Sequence, residues 1–309
     1  MATPQPRFDT GYGAQVQRRV PDTLPRTLDE VGGWYRRTDQ LVMDWLLGYQ
    51  ESAGVTGDLL EMGAYLGKSA ILIGRHRRPG ERFVVCDLFG EEPPTAENRR
   101  TAQFYTKNLT RAAFEFNYAA FHSESPEVLQ APTSELPEHV KPGTCRFVHV
   151  DACHLYNVVR EDVQIARSVL IDDGIVVFDD IRSAHTPGVP AAVWPEVATG
   201  GLRLICLTPN KLYATWGDAK PIQDAMLKWL RAQPASKSEV QQVTGERLIR
   251  VSDWTTPPPC PVPPNGPPPA RSLRVTPRAK RIVVDLLPPI LTRTIKRARA
   301  AAQNRRTAS

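Results

Sequence analysis

GDLLEMGAYLGKS, Gly57 to Ser69, is the stretch on which the reading of this chain turns. A short apolar run, 58–63, carries an acid, Glu61, and meets two glycines, Gly63 and Gly67, before a helix-length run from Lys68 to Arg77. Strand, glycine turn and helix in that order give a sharp backbone turn that no Cβ obstructs, with the N–H groups of a new helix beyond it. The spacing is Gly-x-x-x-Gly and not the Gly-x-Gly-x-x-Gly of a dinucleotide site. Glu61, two residues before the first glycine, is a poor neighbour for a pyrophosphate and a good one for a cation. The next apolar run, 82–87, ends in Asp87, twenty residues beyond Gly67, where a carboxylate can accept hydrogen bonds from both hydroxyls of a ribose.

The pattern repeats on either side of this unit. A near-helical run covers Leu28 to Gly48, and further strands are expected at 119–122, 146–151 and 174–179. Helices are expected at 96–117, 125–130 and 156–170. LRLICLTPNKLYATWG, Leu202 to Gly217, has two β-rich runs about Pro209-Asn210 and reads as an antiparallel hairpin. The expected fold is therefore α/β: a doubly wound, mostly parallel, seven-stranded sheet with an antiparallel C-terminal hairpin and helices on both faces. Residues 1–26 read as a flexible arm, 27–255 as the folded domain, 256–270 as a proline-rich linker and 271–309 as a basic, partly amphipathic tail. Nine of the thirteen residues from 257 to 269 are proline, which suits a stiff spacer.

Glu61-x-Gly63-x-x-x-Gly67-x-Ser69 followed by Asp87 resembles the donor site of class I S-adenosylmethionine-dependent methyltransferases, above all the macrocin-type sugar O-methyltransferases. The resemblance covers roughly Trp34 to Gly217. It implies S-adenosyl-L-methionine as co-substrate, held by Glu61, Gly63, Tyr65, Gly67, Ser69 and Asp87, with Ser123 and Ser125 on the adenine side.

Two further strands end in carboxylate. RFVHVDACHLY, Arg146 to Tyr156, carries Asp151, and GIVVFDDIRSAHTPGV, Gly174 to Val189, carries Asp179 and Asp180. Ligands in open α/β sheets lie beyond the carboxyl ends of the strands. Three acids gathered there repel one another unless a cation or proton intervenes, and hard oxygen ligands suit Mg²⁺ or Mn²⁺. The resemblance likewise implies a metal held by Asp151, Asp179 and Asp180, gripping neighbouring oxygens of an acceptor. Asp151, His154 and His185 are the candidate catalytic groups, while His149, inside its strand, reads as structural.

Charge separates body from tail. From Arg271 to Ser309 there are eleven Lys and Arg against one acid, leaving 28 basic and 32 acidic residues in the rest of a chain whose net charge is +6. A nucleic-acid-binding body is not indicated, while the tail suits an anionic membrane surface or remains a solubilising appendage. Five scattered cysteines without a CxxC pair suggest neither a disulfide framework nor a thiolate zinc site. The polar start and the lack of a bilayer-length apolar run lead to the expectation of a cytoplasmic protein, with oligomerisation left open. The expected activity is O-methylation of a sugar or glycosylated metabolite with help from a divalent metal. Rival readings are a catechol or phenolic O-methyltransferase and a non-catalytic, membrane-associated ligand-binding protein with the same fold.

Overall fold

In the computed structural model, which describes residues 23–102, 109–233 and 235–262, the runs before Gly63 and Asp87 are adjacent parallel strands. They are β1 (Asp58–Met62) and β2 (Phe83–Cys86), joined through α2 (Lys68–Gly74) and preceded by α1 (Arg37–Ser52). Next come α3 (Ala96–Ala102), α4 (Arg111–Ala119), β3 (Glu127–Leu129), α5 (Leu136–His139) and β4 (Cys145–Val150). Then follow α6 (Tyr156–Val169), β5 (Leu170–Phe178), α7 (Gly188–Ala198), β6 (Arg203–Leu207), β7 (Leu212–Thr215) and α8 (Lys220–Arg231). A last hairpin, β8 (Lys237–Val243) and β9 (Glu246–Ser252), completes the sheet. Residues 1–22 of the arm, residues 263–270 of the linker and the whole tail lie outside the described residues. The part of the linker that is described rests on the domain: Val262 is buried, and Cys260 Sγ donates to Gln40 Oε1.

The strand order is β3-β2-β1-β4-β5-β7-β6-β9-β8. The first five are parallel, and β7 runs antiparallel to both β5 and β6, so the hairpin expected around Pro209-Asn210 is present. The chain leaves β1 towards β2 and β3, then returns to β4 on the other side of β1. That reversal opens a crevice between the carboxyl ends of β1 and β4. Apolar side chains of α1, α2, α4 and α8 pack on one face, and those of α5, α6 and α7 on the other.

Two expectations need correction. The sheet has nine strands, not seven, because KSEVQQVTGERLIRVS forms β8 and β9. Thr244 and Gly245 both take positive φ between the paired Val243 and Glu246, the geometry of a two-residue hairpin turn. The third strand is also displaced. Ala119 closes α4, which Thr110 caps by accepting from the Ala113 N–H at 3.1 Å, and the strand is Glu127–Leu129, where a helix was expected. Pro126 stands just before this strand, and a proline suits the entry of an edge strand, which β3 is.

Beneath the crevice one ion pair ties three elements together. Arg146, fully buried on β4, donates to both carboxylate oxygens of Glu81 at 2.9 and 3.0 Å, to Gln50 Oε1 on α1 and to the His76 carbonyl beyond α2. Burial works to raise the Glu81 pKa, but Arg146 and Arg78 outweigh it and hold the carboxyl at about 2, below the ordinary 4.5. Glu81→Gln leaves the guanidinium without its counter-charge and is expected to cost about 3–5 kcal/mol in urea denaturation. Because the folded pKa is depressed, this stabilisation is complete above pH 4.5 and fades as pH falls towards 2, and that part of the pH–stability curve should flatten in Glu81→Gln.

Candidate active site

Side chains alternate along a strand, so Leu59, Glu61 and Gly63 share one face of β1. Phe147, His149 and Asp151 share the same face of β4, as do Ile175, Val177 and Asp179 on β5. Register sets Glu61 beside His149. The ladder then continues past the strand ends: Asp151 N–H donates to Met62 O at 2.7 Å and Asp179 N–H to Val150 O at 3.0 Å. A polar stripe thus crosses the sheet at the crevice. Glu61 Oε1 lies 2.9 Å from His149 Nδ1, and His149 Nε2 lies 2.9 Å from Lys211 Nζ. An ammonium can only donate, so Nε2 accepts and Nδ1–H donates to Glu61. Burial, joined by Lys211, lowers the His149 pKa and keeps the ring neutral. His149 therefore links Glu61 to Lys211 across the sheet.

Lys211 was not among the candidates. Just ahead of β7, it is 2% exposed, with Nζ 2.7 Å from Asp179 Oδ2 and 3.9 Å from Asp151 Oδ2. The signal available was a lysine abutting LYAT, a strand buried at every position. Asp179 Oδ1 also accepts from Asn210 Nδ2 at 2.6 Å. Burial tends to raise the Asp179 pKa, but Lys211 and a hydrogen bond from Asp151 prevail and lower it. Asp151 moves the other way, raised by burial and by the neighbouring Asp179 charge, so it carries the proton between the two.

Asp180 turns away from this pair. Its φ of 55° swings the carboxylate so that Oδ1 accepts from Ser183 Oγ at 2.5 Å and Oδ2 lies 3.2 Å from His154 Nε2. Burial lowers the His154 pKa against the pull of Asp180, leaving a neutral imidazole oriented by a carboxylate. His185, exposed, meets His154 edge-on at 6.3 Å between ring centres. The structure therefore brings Asp151 together with Asp179, and His154 with Asp180 and His185.

This geometry bears on the expected metal triad. Ligand atoms of His149, Asp151 and Asp179 do lie within 4.8 Å of one another. The Lys211 ammonium stands against all three, bonded to the His149 lone pair and the Asp179 oxygen that an ion would need. Asp180 faces elsewhere. As arranged, the set fits an ammonium and not a divalent ion, and the triad Asp151, Asp179, Asp180 is replaced by two separate pairs.

The donor loop is built by close approach. At Gly63, with φ of 83°, a Cβ would fall 2.2 Å from the Asp151 carbonyl oxygen, so only glycine lets the loop press against β4. Asp87 holds the loop from the other side: Oδ2 accepts from Ala64 and Tyr65 N–H at 2.8 and 2.9 Å, and Oδ1 from Phe89 N–H at 2.7 Å. Oδ1, with a single bond, keeps a lone pair for a ligand hydroxyl. Tyr65 takes positive φ and lies against Trp34 with ring centres 5.6 Å apart, while Ser69 sits in the first turn of α2. Glu61 Oε2 is buried without a partner among the described residues, as befits an acid facing the place of a cationic ligand.

Residues 60–181, which span the loop, Asp87, Asp151 and the Asp179-Asp180 pair, match a family model described as a methyltransferase domain. That central stretch of the chain is similar to a methyltransferase domain. Similar structures include CalS11, a TDP-rhamnose 3'-O-methyltransferase of calicheamicin biosynthesis, at 24% identity over 59% of this chain and 80% of that one, with a TM-score of 0.41. The O-methyltransferase NovP is 18% identical over 59% and 80%, with a TM-score of 0.49. Cofactor-bound Rv0187 from MTB is 17% identical over 60% and 83%, with a TM-score of 0.40. No curated protein matches the chain.

One group of expected donor residues lies elsewhere in this fold. Because β3 begins at Glu127, Ser123 and Ser125 precede it and lie at the amino ends of the strands, where Arg77 donates to the Ser125 carbonyl. Ser123 borders a groove with Gly74, Arg77 and His122, on the far side of the sheet from Asp87. The segment beside Asp87 is the one after β3, Gln130 to Thr133, since Asp87 N–H donates to the Leu129 carbonyl and Cys86 Sγ to that of Ala131. No described helix is long and apolar enough to cross a membrane.

The loop geometry sets an expectation for binding. Asp87→Ala removes three backbone hydrogen bonds and Gly63→Ala forces the loop off β4. Each should weaken S-adenosylhomocysteine binding by at least about tenfold, or ~1.4 kcal/mol, in calorimetry. Ser123→Ala and Ser125→Ala should bind it unchanged.

Proposed function

We propose that this methyltransferase transfers the methyl group to a hydroxyl of a sugar or glycosylated metabolite. The observation that carries the proposal is the pair His154 Nε2–Asp180 Oδ2 at 3.2 Å, on the segments that follow β4 and β5. Bound S-adenosylmethionine supplies an electrophilic methyl on a sulfonium. The chain must then bring a hydroxyl into line and take its proton. His154 accepts the proton, and the imidazolium so formed is stabilised by the Asp180 carboxylate, 3.2 Å from Nε2. Asp151, which keeps its own proton, is a hydrogen-bonding partner for the acceptor and not the base. Alignment of two bound reactants contributes the larger share of the rate.

A mouth formed by Asp151, Asp180, His154 and His185 offers several hydrogen-bonding groups at different angles, which suits a polyhydroxy ring better than a flat apolar one. Exposed Trp34, lying on Tyr65 over the donor loop, favours instead the phenolic reading, because its face is a platform for an aromatic acceptor. The membrane-anchored, non-catalytic reading depends on the tail at 271–309, outside the described residues.

Radiolabelled methyl transfer to a panel of glycosides and catechols separates these readings: label should appear in glycosides. His154→Gln should lower kcat by about 10²–10⁴-fold while leaving S-adenosylhomocysteine affinity as in the wild type. Preferential labelling of catechols would transfer the assignment to the phenolic class, and undiminished turnover in His154→Gln would remove it as the base.

A further inference from the structure

The buried face of the crevice holds more negative charge than the catalytic reading uses. Asp39, Asp151 and Asp179 surround a single ammonium, that of Lys211, which reaches Glu61 through His149, and no other Lys or Arg among the described residues is bonded to any of these acids. Its surroundings are fixed on every side. Asp179 and His149 take two of its protons, and the ring of Tyr35 lies 5.6 Å from Nζ. Its backbone is pinned as well: Lys211 N–H donates to Thr208 Oγ1 at 2.8 Å, and that hydroxyl donates to Asp39 Oδ1 at 2.5 Å. The side chain therefore comes from a turn that α1 itself clamps.

A divalent ion bound by His149, Asp151 and Asp179 would need the same nitrogen lone pair and the same carboxylate oxygen. It would also stand within bonding distance of a positive charge that has no water to retreat into. The two cations exclude each other, and the one encoded in the chain is covalently attached to the site.

Resting on the methyltransferase reading, we propose that Lys211 is a positioning residue that takes the place of a divalent metal: it holds Asp179 and His149 in register, and methyl transfer by this chain needs no added metal. Through His149 the same ammonium sets the ring that meets Glu61 of the donor side, so one side chain organises both halves of the crevice.

The test uses the full chain and Mn²⁺ as the probe, followed by electron paramagnetic resonance. Wild-type protein is expected to bind no Mn²⁺ at millimolar concentration and to transfer methyl groups equally well after chelator treatment. Lys211→Ala should lose at least a hundredfold in turnover, keep its affinity for S-adenosylhomocysteine within a few fold, and acquire Mn²⁺ binding at the vacated position. Lys211→Arg should retain part of the activity and bind no Mn²⁺. Stoichiometric Mn²⁺ binding by the wild type, or loss of its activity in chelator that Mg²⁺ restores, would overturn the proposal. So would unchanged turnover in Lys211→Ala. If no acceptor on the panel is methylated, the functional reading fails, yet the Mn²⁺ comparison still decides the role of Lys211. If Lys211→Ala does not fold, the wild-type titration and Lys211→Arg decide it.

Discussion

A single buried ammonium surrounded by carboxylates is the constraint on which the rest of the crevice depends. Charges buried away from water are tolerated only when each finds a partner of good geometry. Lys211 satisfies Asp179 directly and reaches Glu61 through His149, with Asp151 close by. Asp39 is the outlying member. Burial raises its pKa to about 6 against the pull of Lys211, and Thr208 and Tyr213 hydroxyls complete one of its oxygens while the other has no partner. The outcome is a site with one cation, one shared proton and fixed hydrogen-bond directions. Such a site is rigid before any ligand arrives, which is the condition for electrostatic preorganisation.

Fold and chemistry meet through the pleat. Glu61, His149, Asp151 and Asp179 face one another only because three parallel strands keep register across β1, β4 and β5. A one-residue slip of any strand would send its polar residue into the opposite layer among Leu60, Val148 and Val176. Arg146 and Glu81 sit below the same strands and lock α1, the α2–β2 connection and β4 together. The ion pair that stabilises the base of the sheet thus also secures the register on which the top depends.

How much of this the sequence discloses follows from the range of each interaction. The turn at Gly63, the helix at Lys68 and the acid at Asp87 are local, and all three were legible in thirty residues. So were the carboxylates at the ends of β4 and β5, because a buried strand that stops in an acid is a one-dimensional signal. The direction of Asp180 was not legible, since it hangs on one positive φ. Lys211 was missed because its partners lie on other strands, His149 being 62 residues away in sequence, and only the antiparallel pairing of β7 with β5 brings it to them. His149 was read as structural for the same reason: its two partners come from β1 and from the hairpin. The three residues of β3 are too few for any periodicity, and their displacement carried Ser123 and Ser125 to the wrong end of the sheet.

The placement of the proton follows from these distances. Two carboxylates as close as Asp151 and Asp179 share one proton unless a cation separates them, and an ammonium on one side stabilises the anion it touches. Lys211 touches Asp179, at 2.7 Å, and stands off from Asp151, at 3.9 Å. The proton therefore rests on Asp151, which is also the more exposed of the two and faces the crevice mouth. Under the proposed function Asp151 keeps this proton and removal of the acceptor proton falls to His154, whose neighbouring carboxylate, Asp180, is turned from the Lys211 cluster by its positive φ. On that reading, the division of the three acids into two pairs allows one to organise the crevice while the other is left for the proton transfer we propose.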